Sequence, residues 1–237
     1  MSGRRRDVGR GTEKIDLKQP DQFQSLSLRI YNFILEHRRQ AYIASGAVAL
    51  VVVITLGLYF YHLQYESKAA EQYAEAYASY GSVDAADEEG RDALMMAAAK
   101  YERLVEEYSG SKPARLALYN LGNIYYSLGE YEQAVEAYTT YLQKGSKRDM
   151  LKPLAAYGLG YSYETLGEFD KALEAFLRAA DNASGPHFRT INYANLGRIY
   201  EKMNDVEQAV QYFEKVHEAD TDPLLAALAA RRIAHLK

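Results

Sequence analysis

Apolar and polar positions divide this chain into three zones. Residues 41–61 (AYIASGAVALVVVITLGLYFY) contain no Lys, Arg, Asp, Glu or His in 21 positions. A helix of that length rises about 31 Å, the hydrocarbon thickness of a bilayer, so the stretch predicts a membrane-spanning helix. Before it, Phe23, Leu26, Ile30, Phe33 and Ile34 follow one another at spacings of three, four, three and one. That period predicts an amphipathic juxtamembrane helix within residues 21–40, with Asp21 as N-cap after Pro20 and Leu28, Tyr31 and Leu35 widening its apolar arc. Such a helix can lie in the headgroup layer or continue the spanning helix into the cytosol, and the pattern allows both. Residues 1–20 are rich in charge and glycine and predict a disordered basic tail.

Beyond the span, helical periodicity becomes a repeat. Leu121-Gly122, Leu159-Gly160 and Leu196-Gly197 are each followed, three residues after the glycine, by Tyr125, Tyr163 and Tyr200. Twelve residues after each glycine stands Ala134, Ala172 or Ala209, and four further on Tyr138, Phe176 or Phe213. The glycine on a first helix is expected to let a second helix approach, with its alanine facing it, while the aromatics fill the wedge between consecutive hairpins. Gly129, Gly167 and Asn204 stand where the first helices end, residue types suited to the left-handed conformation. A small residue three after the aromatic is kept only as Ala179; Tyr141 and Val216 replace it elsewhere, which implies repacking.

A degenerate unit precedes these three, with Tyr73, Ala74, Tyr77 and Tyr80 on one helix, residues 81–90 as a polar loop, and Ala97, Tyr101 and Leu104 on the next. Residues 223–236 predict a closing helix, which a helical solenoid needs to cover its last apolar face. The expected fold is therefore all-α: a single N-terminal transmembrane helix (41–61), then a solenoid over 62–237 of about four helical hairpins plus a C-terminal capping helix. The clearest repeats fall at 115–148, 153–186 and 190–223.

Charge assigns a direction to the span. Residues 1–40 carry nine basic and five acidic side chains, whereas the whole chain has a net charge of −4. His37, Arg38 and Arg39 directly precede the apolar stretch, which puts the N-terminus in the cytoplasm under the positive-inside rule. Bulky residues follow the stretch where a cleavage site needs small ones, so an uncleaved signal anchor is expected. The acidic C-terminal region speaks against nucleic acid as partner. With no cysteine and five scattered histidines, no thiol or metal chemistry is expected. Gly158 and Gly160 form a GxG inside a predicted helix, where packing explains them; Asn182-Ala183-Ser184 is a sequon by pattern alone. No catalytic, cofactor-binding or metal-binding residues are expected, nor a small-molecule substrate: the reading is a protein that is not an enzyme.

The Leu-Gly, Tyr, Ala, aromatic order resembles the tetratricopeptide repeat (TPR) family, whose unit is a helical hairpin. In that family the groove is lined by first-helix positions two before the Leu, two after it and five after it. The resemblance implies Tyr119, Asn123 and Tyr126 in one unit, Tyr157, Tyr161 and Glu164 in the next, and Ala194, Arg198 and Glu201 in the third. Lys stands at the first of these positions in the family's chaperone-tail clamp; Tyr119, Tyr157 and Ala194 replace it here, which speaks against a peptide-terminus clamp. A tyrosine-rich groove suits extended polypeptide; alternatively the same tyrosines pack the solenoid. The whole layout resembles the ancillary subunit of the SecYEG translocon (the YfgM-like family). That implies a single-pass protein of the bacterial inner membrane with a periplasmic repeat domain, and as partners translocon subunits, secreted client chains or periplasmic chaperones. The stretch KYERLVEEYSGSKPARLALYNLG is also similar to repeats of cell-envelope assembly factors and of structural subunits of membrane complexes, which remain the alternative.

Overall fold

In the computed structural model, residues 22–80, 87–146, 149–219 and 222–237 are described. The basic tail, the Asp21 cap and most of the polar loop lie outside them. The chain divides into two compact units, Met1–Phe60 and Tyr61–Lys237.

In the first unit α1 spans Gln22–Glu36, and α2 (Arg38–Tyr80) begins there and runs on into the second. The expected juxtamembrane helix is thus shorter, because His37 belongs to neither helix. Its N–H donates to the Phe33 carbonyl at 3.0 Å, its own carbonyl accepts from Ala41 N–H at 2.9 Å, and its ring stacks on Phe33 at 4.7 Å. Within the apolar stretch Ser45 donates to the Tyr42 carbonyl at 3.1 Å and Thr55 to that of Val51 at 2.8 Å. Hydroxyls satisfied by their own helix are what a hydrocarbon environment requires. Among the described residues, one helix is long and apolar enough to cross a membrane, with mean hydropathy 2.3 and none of that stretch buried within the protein.

The second unit continues with α3 (Glu88–Glu107), α4 (Lys112–Leu128), α5 (Tyr131–Lys144), α6 (Lys152–Thr165), α7 (Phe169–Asp181), α8 (Pro186–Lys202), α9 (Val206–Glu218) and α10 (Pro223–Leu236). The pairs α4/α5, α6/α7 and α8/α9 are the three expected hairpins; the later part of α2 with α3 makes the degenerate one, and α10 closes the stack. Gly90, expected in the polar loop, is instead buried in the first turn of α3. The cause is local: Asp87 accepts from Gly90 N–H at 2.7 Å and starts the helix there. Ser111, Asp205 and Asp222 cap α4, α9 and α10 in the same way. The glutamate Glu66 reaches from α2 to the N–H of Lys112, another free donor at the start of α4.

All three first helices end alike. Gly129, Gly167 and Asn204 have φ of 84°, 76° and 62°. Behind them Glu130, Glu168 and Asp205 donate to the carbonyls of Tyr125, Tyr163 and Tyr200 at 2.8, 2.9 and 2.9 Å. That is the Schellman closure, which satisfies carbonyls at the helix end and turns the chain into the second helix.

The glycine logic needs one correction. A Cβ on Gly122, Gly160 or Gly197 would lie 2.5, 2.7 or 2.9 Å from a ring carbon of Tyr138, Phe176 or Phe213. The nearest neighbour of each glycine is therefore the aromatic ring of its own hairpin; Ala134, Ala172 and Ala209 are fully buried core residues. Tyr138 also reaches across to the next hairpin, where a Cβ on Gly158 would meet its Cζ at 2.5 Å. The GxG is a double seat, Gly158 for the preceding ring and Gly160 for its own. Where the small residue is missing, Tyr141 is buried and meets the Tyr119 ring at 5.8 Å, and Val216 is buried as well.

Candidate protein-binding groove

The expected groove residues lie on α4, α6 and α8, the first helices of consecutive hairpins, and the structure splits them into two groups. On α4 they engage mainly their own hairpin, although Tyr126 also meets Thr165 of α6. Asn123 accepts a 2.6 Å hydrogen bond from the Tyr138 phenol. Tyr119 packs its ring against Tyr138 at 6.3 Å, and Tyr126 meets Tyr131 of α5 edge-on at 5.4 Å. These tyrosines are half-buried, so each packs the solenoid with one side while keeping part of its surface open.

On α6 and α8 the residues join across the repeat boundary. The Tyr157 phenol donates to that of Tyr161 at 3.3 Å, and Tyr161 donates to Oδ1 of Asn195 at 3.0 Å. Arg198 donates to the same Oδ1 at 3.1 Å and lies 5.5 Å over the Tyr161 ring. Its guanidinium also pairs with Glu164, whose carboxylate accepts from Lys202 at 2.7 Å. Glu164 is a buried carboxylate, its side chain 6 % exposed, with two cations against one oxygen. Burial, followed by the hydrogen bond with Tyr161, pushes the Tyr157 phenol well above the ordinary tyrosine range; burial also raises Tyr126.

A separate ion pair reaches the closing helix. Arg232 of α10 donates to Glu201 at 3.0 Å. Between α8, α9 and α10 lies an open cavity of about 190 Å³, floored by Phe213, Val216 and Ala229, walled by Leu225 and Leu228, and rimmed by Ala194, Asn195, Arg198 and Arg232. Asn195 is 6 % exposed, and its Nδ2, near the Tyr157 phenol, makes no hydrogen bond of normal geometry. Apolar walls, two guanidinium groups and an unfilled amide donor together suit a polypeptide segment that brings an aliphatic side chain and a backbone or carboxylate oxygen.

Sequence reasoning placed nine of these residues but missed Asn195, Lys202 and the contribution of α10. A signal for Asn195 was present: it stands one before Leu196, as Asn120 stands one before Leu121. Asn120 also bridges units, donating to the phenols of Tyr73 and Tyr101 at 2.8 and 3.0 Å. Arg232, Leu225 and Leu228 had no signal, because α10 lacks the Leu-Gly pair that sets the register. Among the described residues no cluster of three or more His, Cys, Asp or Glu has metal-ligand geometry.

Comparison with known proteins agrees with this geometry. Residues 153–222 and 116–144 match the tetratricopeptide repeat family, so α4 to α9 carry tetratricopeptide repeats. No curated protein matches the chain. A tetratricopeptide repeat protein from Parabacteroides merdae is similar in structure, at 21 % identity and TM-score 0.57, over 70 % of this chain and 60 % of that one. BtubC (BKLC) from P. vanneervenii is similar at 16 % identity and TM-score 0.53, over 73 % and 82 %. This chain thus spans about 60 % of the Parabacteroides protein, and at these identities the likeness establishes the fold: a TPR solenoid.

Proposed function

We propose that this tetratricopeptide repeat protein is a membrane-tethered scaffold that holds polypeptide partners on the shared face of α6, α8 and α10. The observation that carries the reading is the Asn195 site: a buried amide with an unfilled donor beside an apolar cavity and two arginines. What sets this donor apart is its place on an open cavity, where an incoming oxygen can fill it and relieve the cost of about 1–3 kcal/mol of leaving it unpaired. The apolar helix supports tethering, and the basic flank at Arg38 and Arg39 supports a cytoplasmic N-terminus with the repeats in the periplasm. In that setting the scaffold works beside the translocon, receiving secreted chains or passing them to chaperones.

The test is site-specific photocrosslinking in intact membranes from a probe at Leu228, compared with an Ala194→Leu variant that fills the cavity. Translocon subunits and secreted chains captured by the parent and lost in the variant are the expected result. Capture of envelope machinery, or of one stoichiometric complex, would move the assignment to an assembly factor or a structural subunit. Equal capture by both proteins would reject the groove, and a C-terminal reporter active only in the cytoplasm would reject the topology.

A further inference from the structure

Helix α1 displays an apolar surface that its own unit leaves open. Ile30, Phe33 and Ile34 are 53, 61 and 46 % exposed, and Leu28, Tyr31 and Leu35 beside them are exposed too. Arg29, Asn32 and Glu36 follow at spacings of three and four and form a narrow polar stripe on the other side. Three placements can be weighed. As a continuation of the span, Gln22 to Tyr61 would be an apolar rod of about 60 Å, twice the hydrocarbon thickness, and would drag Glu36, Arg38 and Arg39 into lipid. Standing in water, the helix would leave six large apolar side chains uncovered. Lying in the membrane plane, it buries the apolar arc and keeps the polar stripe wet.

The junction fits the third placement. His37 separates α1 from α2, and Arg38 and Arg39 directly behind it mark the headgroup level. There α1 ends, at the depth where an interfacial helix lies, and its 15 residues extend about 22 Å back along the surface. Charge points to the same occupant: residues 1–40 carry nine basic against five acidic side chains, suited to anionic lipid.

We infer that α1 is an interfacial helix that docks its Ile30–Phe33–Ile34 face into the anionic leaflet on the N-terminal side of the anchor. This rests on the proposed anchoring by residues 41–61. It gives the protein a second, lateral contact with the bilayer, which restrains rotation about the anchor.

The chain has no cysteine, so single substitutions can be spin-labelled cleanly in the full-length protein. The probe is the protein in vesicles of phosphatidylethanolamine and phosphatidylglycerol at about 3:1, read by collision with oxygen and with a water-soluble nickel chelate. Labels at Ile30→Cys, Phe33→Cys and Ile34→Cys are expected to favour oxygen, and labels at Arg29→Cys, Asn32→Cys and Glu36→Cys to favour nickel. The ratio then alternates with the helical period. Val48→Cys and Val52→Cys report the anchor itself: nickel access there overturns the anchoring and this inference with it. With lipid at those two sites, nickel access at all six α1 labels overturns the interfacial helix alone. So does oxygen preference at all six without alternation, which means a continued span. Spin–spin broadening confined to Ile30, Phe33 and Ile34 also overturns it, by showing that a second copy covers the face.

Discussion

A Cβ on Gly158 would stand 2.5 Å from Cζ of Tyr138, so a ring from one hairpin fills the side-chain space of the next. Tyr138 is 2 % exposed and its phenol is held by Asn123 at 2.6 Å, leaving the ring little room to retreat. Gly158→Ala is therefore expected to lower unfolding free energy by about 1–3 kcal/mol, the usual range for overpacking. In a Tyr138→Leu background the same change should be much milder, as read by urea unfolding of the four proteins of the cycle. Additive losses would mean that the ring is not the cause.

The helix ends offer a contrasting glycine effect. Nothing lies within 4 Å of a Cβ at Gly129 or Gly167, yet their φ values are 84° and 76°. Alanine there is expected to cost about 1–2 kcal/mol through backbone strain alone. Asn204 holds the same conformation with φ 62°, and Asn204→Gly is expected to leave the thermal midpoint unchanged or slightly raised, whereas Asn204→Val should lower it. A drop for Asn204→Gly would contradict the Schellman assignment of the third repeat.

In the groove the buried partner decides the magnitude. Glu164 has a 6 % exposed side chain, against 33 % for Arg198 and 46 % for Lys202. Arg198→Ala removes the cation that also holds Asn195, and is expected to cost about 1–3 kcal/mol. Lys202→Ala leaves Arg198 in place and is expected to cost under about 1 kcal/mol. Tyr161→Phe keeps the ring against Phe176 at 5.2 Å and loses the two hydrogen bonds of its phenol, the one given to Asn195 and the one accepted from Tyr157. It separates binding from stability, which Tyr161→Ala does not: partner capture should fall while the melting temperature stays close to the parent's.

Alkali should unfold the repeat domain through its buried phenols. Tyr125, Tyr141 and Tyr157 are held above the ordinary tyrosine value of 10.0, in each case first by burial and next by a neighbouring polar group, Glu102, Asp149 and Tyr161 respectively. Their folded values exceed the unfolded one, so the unfolded chain loses these protons first. The associated stability is complete below about pH 10 and is lost progressively as pH rises above it. Urea midpoints measured from pH 8 to 11.5 should fall in the upper part of that range. Tyr141→Phe and Tyr157→Phe should each flatten the decline; an unchanged slope in both would exclude the phenols.

The period of Leu-Gly, Tyr, Ala and aromatic positions determined the hairpins, their order and the left-handed turns, because each depends on local spacing and backbone freedom. The uncharged run 41–61 likewise determined one long apolar helix by length alone. Only tertiary structure decided what each glycine faces: the rings that meet Gly122, Gly158 and Gly160 arrive from other helices, and spacing along one helix carries no record of them. It also decided which groove residues act together. Tyr161, Asn195, Arg198 and Glu164 come from two helices 34 residues apart in the chain, and Arg232 from a third without the repeat signature. Their chemistry is a product of side chains converging across repeat boundaries, which the period places near one another but does not join.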